Sequence, residues 1–132
     1  MPVDSRHLAV VIRRPPAEVA AFAGDPANLP AWAAGLASGI REEGGRWFAD
    51  SPMGAVEVAF VPPNDLGVLD HDVVLPDGTR TSNPLRVLPY GADAEVVFTL
   101  RRDDGVTDED FEADASAVRD DLERLRAVLE SR

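Results

Sequence analysis

The chain has 132 residues, of which 24 are acidic and 13 basic, for a net charge of −11, and it contains no cysteine. The length suits one domain, residues 1–132, with a core of its own. The charge argues against nucleic acid and anionic membrane surfaces as partners, because both call for a basic patch. The missing Cys removes disulfides, thiolate nucleophiles and cysteine metal sites.

All 13 basic residues are Arg, which excludes lysine Schiff-base chemistry. No charged-then-apolar leader opens the chain, and no apolar run approaches about 18 residues, so a cytoplasmic protein is the default expectation.

The first element is a strand over His7–Arg13, with Leu8, Val10 and Ile12 on one face. Pro15 and Pro16 end it and suit the first turn of a helix, Ala17–Ala23, that buries Val19 and Phe22. Gly24-Asp25-Pro26 breaks that helix. A second short helix, about Pro26 to Leu36, is kinked or interrupted at Pro30 and anchored by Trp32 and Leu36.

The next stretch, as far as Arg102, carries antiparallel-strand punctuation. Gly39–Glu43 and Arg46–Asp50 flank the turn Gly44-Gly45, and a second turn lies over Ser51-Pro52-Met53-Gly54. Ala55–Val61 alternates, with Val56, Val58 and Phe60 on one face. Pro62–Asp65 is a loop, Val68–Leu75 a strand and Pro76–Thr79 a hairpin turn. Thr81–Tyr90 carries Pro84 and Pro89, which suggest bulges or twisted ends, and Ala94–Arg102 is a strand of strong β propensity.

Thr107–Arg132 closes the chain as a long amphipathic helix. Phe111, Ala115, Val118, Leu122, Leu125 and Leu129 recur at steps of four and three and form one narrow apolar stripe. Thr107 is the N-cap, Asp110 stands at the capping-box position, and Asp108–Asp110 suit the positive end of the helix dipole. At about 1.5 Å per residue the helix is roughly 37 Å long, enough to cross a sheet. Short turns between strands give an antiparallel sheet, and one amphipathic helix covers one of its faces, so the fold class is α+β.

The order and wording resemble the START-related, helix-grip (SRPBCC) superfamily, and most of all its small bacterial polyketide cyclase/dehydrase-like members. The resemblance rests on Ile12–Val19 (IRRPPAEV) with Asp25–Trp32 (DPANLPAW), and on Glu95–Leu100 through Asp108–Phe111 to Asp121–Leu125. It implies a curved antiparallel sheet (β-α-α-β5 or 6-α) wrapped around the C-terminal helix. It also implies a cavity between helix and sheet that takes a lipid- or polyketide-like ligand. No cofactor is expected.

Two residues are candidates for chemistry. His71 shares a strand face with Leu69 and Val73, so it points into the cavity if that face is concave. There it is either a proton-transfer or hydrogen-bonding group or a histidine satisfied by its neighbours. If Asp77-Gly78 is a two-residue loop, Leu69 lies opposite Arg86, and Arg86 joins His71 inside as a partner for an oxyanion. Leu85 and Val87 would then face solvent as a patch for another protein or a homodimer. A one-residue bulge near Pro84 reverses that assignment and brings Asn83 inward.

Trp32, Trp47 and Tyr90 are aromatic and suit either a pocket wall or core. The ligand-binding set expected on these grounds is Trp32, Trp47, Val58, His71, Arg86, Phe98, Phe111 and Val118. No metal site is expected: Asp108-Glu109-Asp110 sits where helix capping accounts for it, Asp103-Asp104-Gly105 lacks the rest of a calcium loop, and His7 and His71 lack zinc spacing. Three functions follow: a binder of a small apolar or amphipathic molecule, a cyclase or dehydratase using His71 and Arg86, or a protein-interaction module with a collapsed cavity.

Overall fold

The computed structural model describes residues 5–36, 39–52 and 54–132. Of the turn over Ser51–Gly54, Met53 lies outside the described residues, while the flanking Ser51 and Gly54 pair across it.

The elements follow the expected order. Strand β1 (Ser5–Ile12) is followed by helices α1 (Pro16–Ala23) and α2 (Leu29–Trp32). Then come β2 (Arg41–Glu43), β3 (Arg46–Ser51), β4 (Gly54–Phe60), β5 (His71–Val74), β6 (Arg80–Asn83), β7 (Leu85–Tyr90) and β8 (Asp93–Arg101), and last helix α3 (Asp108–Glu130). The second helix is more broken than a single kink at Pro30. Short 3-10 turns at Pro26–Asn28 and Ala34–Leu36 flank a single α turn, and the side chain of Asp25 accepts a hydrogen bond from Ala27 N–H at the start.

Two ladders, β1-β8-β7 and β2-β3-β4-β5-β6, make up the sheet. Strands β6 and β7 are halves of one strand divided at Pro84. The segment before β5 joins the ladders: Val87 N–H donates to Gly67 O at 2.8 Å, Leu69 N–H donates to Leu85 O at 2.8 Å, and Val68 bridges to Arg86. The sheet is therefore antiparallel and curved, closing from β1 round to β2.

Alternation along the strands decides which face is buried. Leu8, Val10 and Ile12 of β1 lie opposite Phe98, Val96 and Ala94 of β8, and Val87 and Leu85 of β7 continue the same face. Most of these are below 10% exposed, and Ile12, Leu85 and Val96 are fully buried. Helix α3 lays Ala115, Leu122, Leu125 and Leu129 on this face. Thr107 Oγ1 accepts from Asp110 N–H at 3.1 Å and caps it, as expected.

The far end of α3 is held from the other end of the chain. Arg14 Nε donates to Leu129 O at 2.9 Å, one of the carbonyls a helix leaves unpaired, and Arg13 N–H donates to Glu130 Oε2 at 2.8 Å. Arg124 and Arg126 pair with Asp121 and Glu123 within the helix.

Candidate functional site

A cavity of about 1070 Å³ opens beside the concave face. One wall is the small-residue face of α1, with Ala17, Ala20, Ala21 and Gly24. The opposite wall comes from the strands, with Trp47 of β3, Val58 and Phe60 of β4, and Val87 of β7. The loop from Val61 to Leu69 forms the mouth. Among the wall residues Val58 and Val87 are 3% exposed, so the floor is firm core, while Leu66 at 76% and Val61 at 37% stand out as an apolar lip.

The loop is built rather than slack. Asn64 Nδ2 donates to Pro62 O at 3.1 Å and to Val68 O at 2.9 Å, and its Oδ1 accepts from Leu66 N–H at 2.9 Å and Val68 N–H at 3.2 Å. Gly67 then meets β7 so closely that an added Cβ would lie 2.2 Å from Val87 O, and its φ of +73° is one that other residues rarely adopt. Gly24 makes a similar approach to the Leu69 side chain from α1.

Position relative to α3 differs from expectation. No residue of α3 lines this cavity. The small Ala115 and the narrow Leu stripe let α3 close down on β1, β8 and α2, so the open space lies on the α1 side. Phe111 is 4% exposed and lies under the guanidinium groups of Arg6 and Arg102, at 5.0 and 5.7 Å from its ring centre, away from the lining of this cavity. Trp32 is core at 5% exposure, its Nε1 buried without a hydrogen-bond partner. Val118 and Phe98 are half-buried against the core. Of the expected set, Trp47 and Val58 are cavity wall.

His71 does point to the concave side. It lies opposite Phe60 on one neighbour strand and Asn83 on the other. Its ring stacks on Phe60 at 4.7 Å and tilts against Phe98 at 6.5 Å. Nδ1 lies 3.0 Å from Leu69 O, and a carbonyl can only accept, so Nδ1 carries the proton. Desolvation by burial lowers the pKa of His71; the Leu69 carbonyl and the charges of Asp70 and Asp72 act against it.

Arg86 does not join it. The hairpin loop has three residues, Pro76–Gly78: Leu75 N–H donates to Thr79 O, and Gly78 takes φ +90°. That one extra loop residue shifts the register, and the shift persists unbroken from Val74–Arg80 to Val68–Arg86. Asn83 faces inward with His71, as in the alternative register, but the turn causes it and not a bulge at Pro84. Leu85 and Val87 are buried, so the apolar patch expected there for a protein partner does not form.

Arg86 lies on the outer face in a two-pronged pair with Asp70, Nε–Oδ1 2.8 Å and Nη2–Oδ2 2.7 Å. Asp70 Oδ1 also accepts Leu85 N–H at 2.9 Å. Here the ladder is rebuilt from side chains: Leu69 N–H bonds Leu85 O directly, while Asp70 takes the Leu85 N–H and His71 takes the Leu69 carbonyl. The hydrogen bond from Arg86 is the main reason that the Asp70 carboxyl sits below its usual range.

The rim is acidic. Asp25, Asp65 and Glu57 border the cavity, and the basic Arg46 beside them is held by Glu57 at 2.7 and 3.0 Å. Among the described residues no helix is long and apolar enough to cross a membrane.

This arrangement, a bent antiparallel sheet closed on a long final helix with two short helices after the first strand, is the helix-grip fold. Solved structures agree. DynU16, from the dynemicin biosynthetic locus, superposes with a TM-score of 0.71 at 16% identity over 98% of this chain, which spans about half of DynU16, 48%. CalU16 from Micromonospora echinospora gives 0.68 at 13% identity, covering 96% of this chain and 74% of CalU16. Ara h 8.0201 gives 0.68 at 12% identity over 99% of this chain and 100% of its own. Identities this low speak to the fold and not to an activity. No family profile and no curated protein sequence matches the chain.

Proposed function

We propose that the chain binds a small apolar or amphipathic molecule, lipid- or polyketide-like in character, in the cavity between α1 and the strand wall. The observation that carries this is an apolar hollow of about 1070 Å³ whose mouth exposes Leu66 and Val61. Exposed apolar side chains cost solubility without adding core, and a pocket of this size and lining is typical for small-molecule sites. That DynU16 is a protein of a biosynthetic locus is compatible with such a ligand.

Nile red, a neutral dye that brightens in apolar surroundings, tests it. Titration into the native protein is expected to give saturable fluorescence, and Ala20→Trp, which fills the cavity from α1, is expected to weaken binding at least about tenfold. Absence of saturable binding, together with no co-purified small molecule in native mass spectrometry, would overturn the proposal.

A further inference from the structure

We infer that the cavity selects its occupant by charge: it takes an amphiphile without an anionic group, such as an alcohol, ester or amide, and rejects carboxylates, sulfonates and phosphates. The inference rests on the proposed binding role and adds the charge of the ligand to it.

The lining holds little that an anion could use. Its ionisable residues are Asp25, Arg46, Glu57 and Asp65, so Arg46 is the one basic group among the described residues there. That guanidinium is committed: Nε and Nη2 donate to the two carboxylate oxygens of Glu57 at 3.0 and 2.7 Å. The amide of Asn64 is committed as well. Its Nδ2 donates to Pro62 O and Val68 O, and its Oδ1 accepts from Leu66 N–H and Val68 N–H. Arg86 is paired with Asp70 on the outer face of the sheet and cannot stand in.

Asp25 and Asp65 supply the opposite of what an anion needs. Both are exposed at the mouth, and among the described residues neither belongs to an ion pair. Asp25 accepts Ala27 N–H at 3.0 Å, which satisfies one oxygen without cancelling the charge. An entering anion would pass two bare carboxylates and then lose its water against Val58, Phe60, Val87 and the alanines of α1, with no free cation to meet it. The net charge of −11 acts in the same direction at longer range. An uncharged head group meets no such penalty.

N-phenyl-1-naphthylamine and 1-anilinonaphthalene-8-sulfonate share one skeleton and differ by a sulfonate, and both brighten in apolar surroundings. Titrated into the native protein at neutral pH and low salt, the neutral dye is expected to bind at least about tenfold more tightly. Asp65→Arg, which places a cation at the mouth, is expected to narrow that ratio. Should the variant misfold by circular dichroism, salt serves on the native protein: higher ionic strength screens exposed carboxylates and is expected to narrow the ratio too. Equal affinity for the two dyes, or preference for the sulfonate, overturns the inference and leaves the cavity role, read separately with Nile red, standing. A ratio that neither the variant nor salt alters also overturns it, since the discrimination would then owe nothing to charge. If neither dye nor Nile red saturates, the cavity role falls, and the inference falls with it.

Discussion

At the scale of single residues, the unusual feature is the rung between Leu69 and Leu85, completed by the side chains of Asp70 and His71. The two partners of Asp70 are unequal. Asp70→Ala strands the Leu85 N–H in a fully buried place and is expected to cost about 1–3 kcal/mol in denaturant unfolding. Arg86→Ala removes only a half-exposed ion pair and is expected to cost less than about 1 kcal/mol. If the two variants were equally damaging, the rung would not be the important contact. His71 gives a pH test. Its folded pKa lies below the ordinary value of about 6.5, so the unfolded chain takes up the proton more readily. Stability from this group is complete above about pH 6.5 and declines as the pH falls toward the lowered folded value. Unfolding midpoints at about pH 7 and pH 5 are expected to differ less in His71→Phe than in the native chain, since Asp70, shifted downward, stays ionised across that window. That His71 faces inward is legible from period-two alternation with Leu69 and Val73. The position of Arg86 is not, because Asp-Gly serves both two- and three-residue loops and a single residue of loop length reverses every side chain beyond it.

At the scale of elements, much is legible in the sequence: the β propensity of Ala94–Arg102, the stripe from Phe111 to Leu129 and the cap at Thr107 each find their element in the structure. The cavity wall is less legible. Its signals are faint ones, a run of small residues on one face of α1 and an apolar Leu66 set among turn formers in Pro62–Gly67. Neither acquires meaning until the loop and the helix face each other, which depends on the Gly67–Val87 rung. Gly67→Ala is therefore expected to act on loop and fold together. Its Cβ would overlap Val87 O in a backbone conformation costing other residues about 1–3 kcal/mol. Faster hydrogen exchange at the Val87 amide and weaker Nile red binding are the measurements; normal protection at Val87 would show that the rung is not needed to hold the mouth. Position of the cavity also escaped the pattern because a stripe says which side of a helix is buried, not how near the helix comes. Ala115 lets α3 settle on β1, and the space remains elsewhere.

At the scale of the whole molecule, the acidity belongs mostly to the outside, where α3 presents Glu112, Asp114 and Asp120 to solvent and where outer-face carboxylates such as Asp72 and Glu57 are matched by Arg80 and Arg46. The inside is held by long-range contact instead: β1 lies in register with β8, Ser5 opposite Arg101, and the end of α3 hangs on Arg14. Residues 1–105 without α3 are expected to lack cooperative thermal unfolding, because Leu8, Val10 and Ile12 lose the Leu125 and Leu129 side chains that cover them. A sharp melting transition in that fragment would refute it.

The pairing of β1 with β8 also has a consequence in time. During synthesis β1 leaves the ribosome with no partner and waits, apolar face bare, until nearly the whole remaining sequence has been translated. Strands β2 to β6 can zip locally through short turns in the interval, whereas the principal core closes only when the closing helix arrives. Such a chain leaves a long window in which a nascent edge is open to chaperones or to a neighbouring copy, and its yield on overexpression will be governed by that delay more than by the depth of the finished energy well.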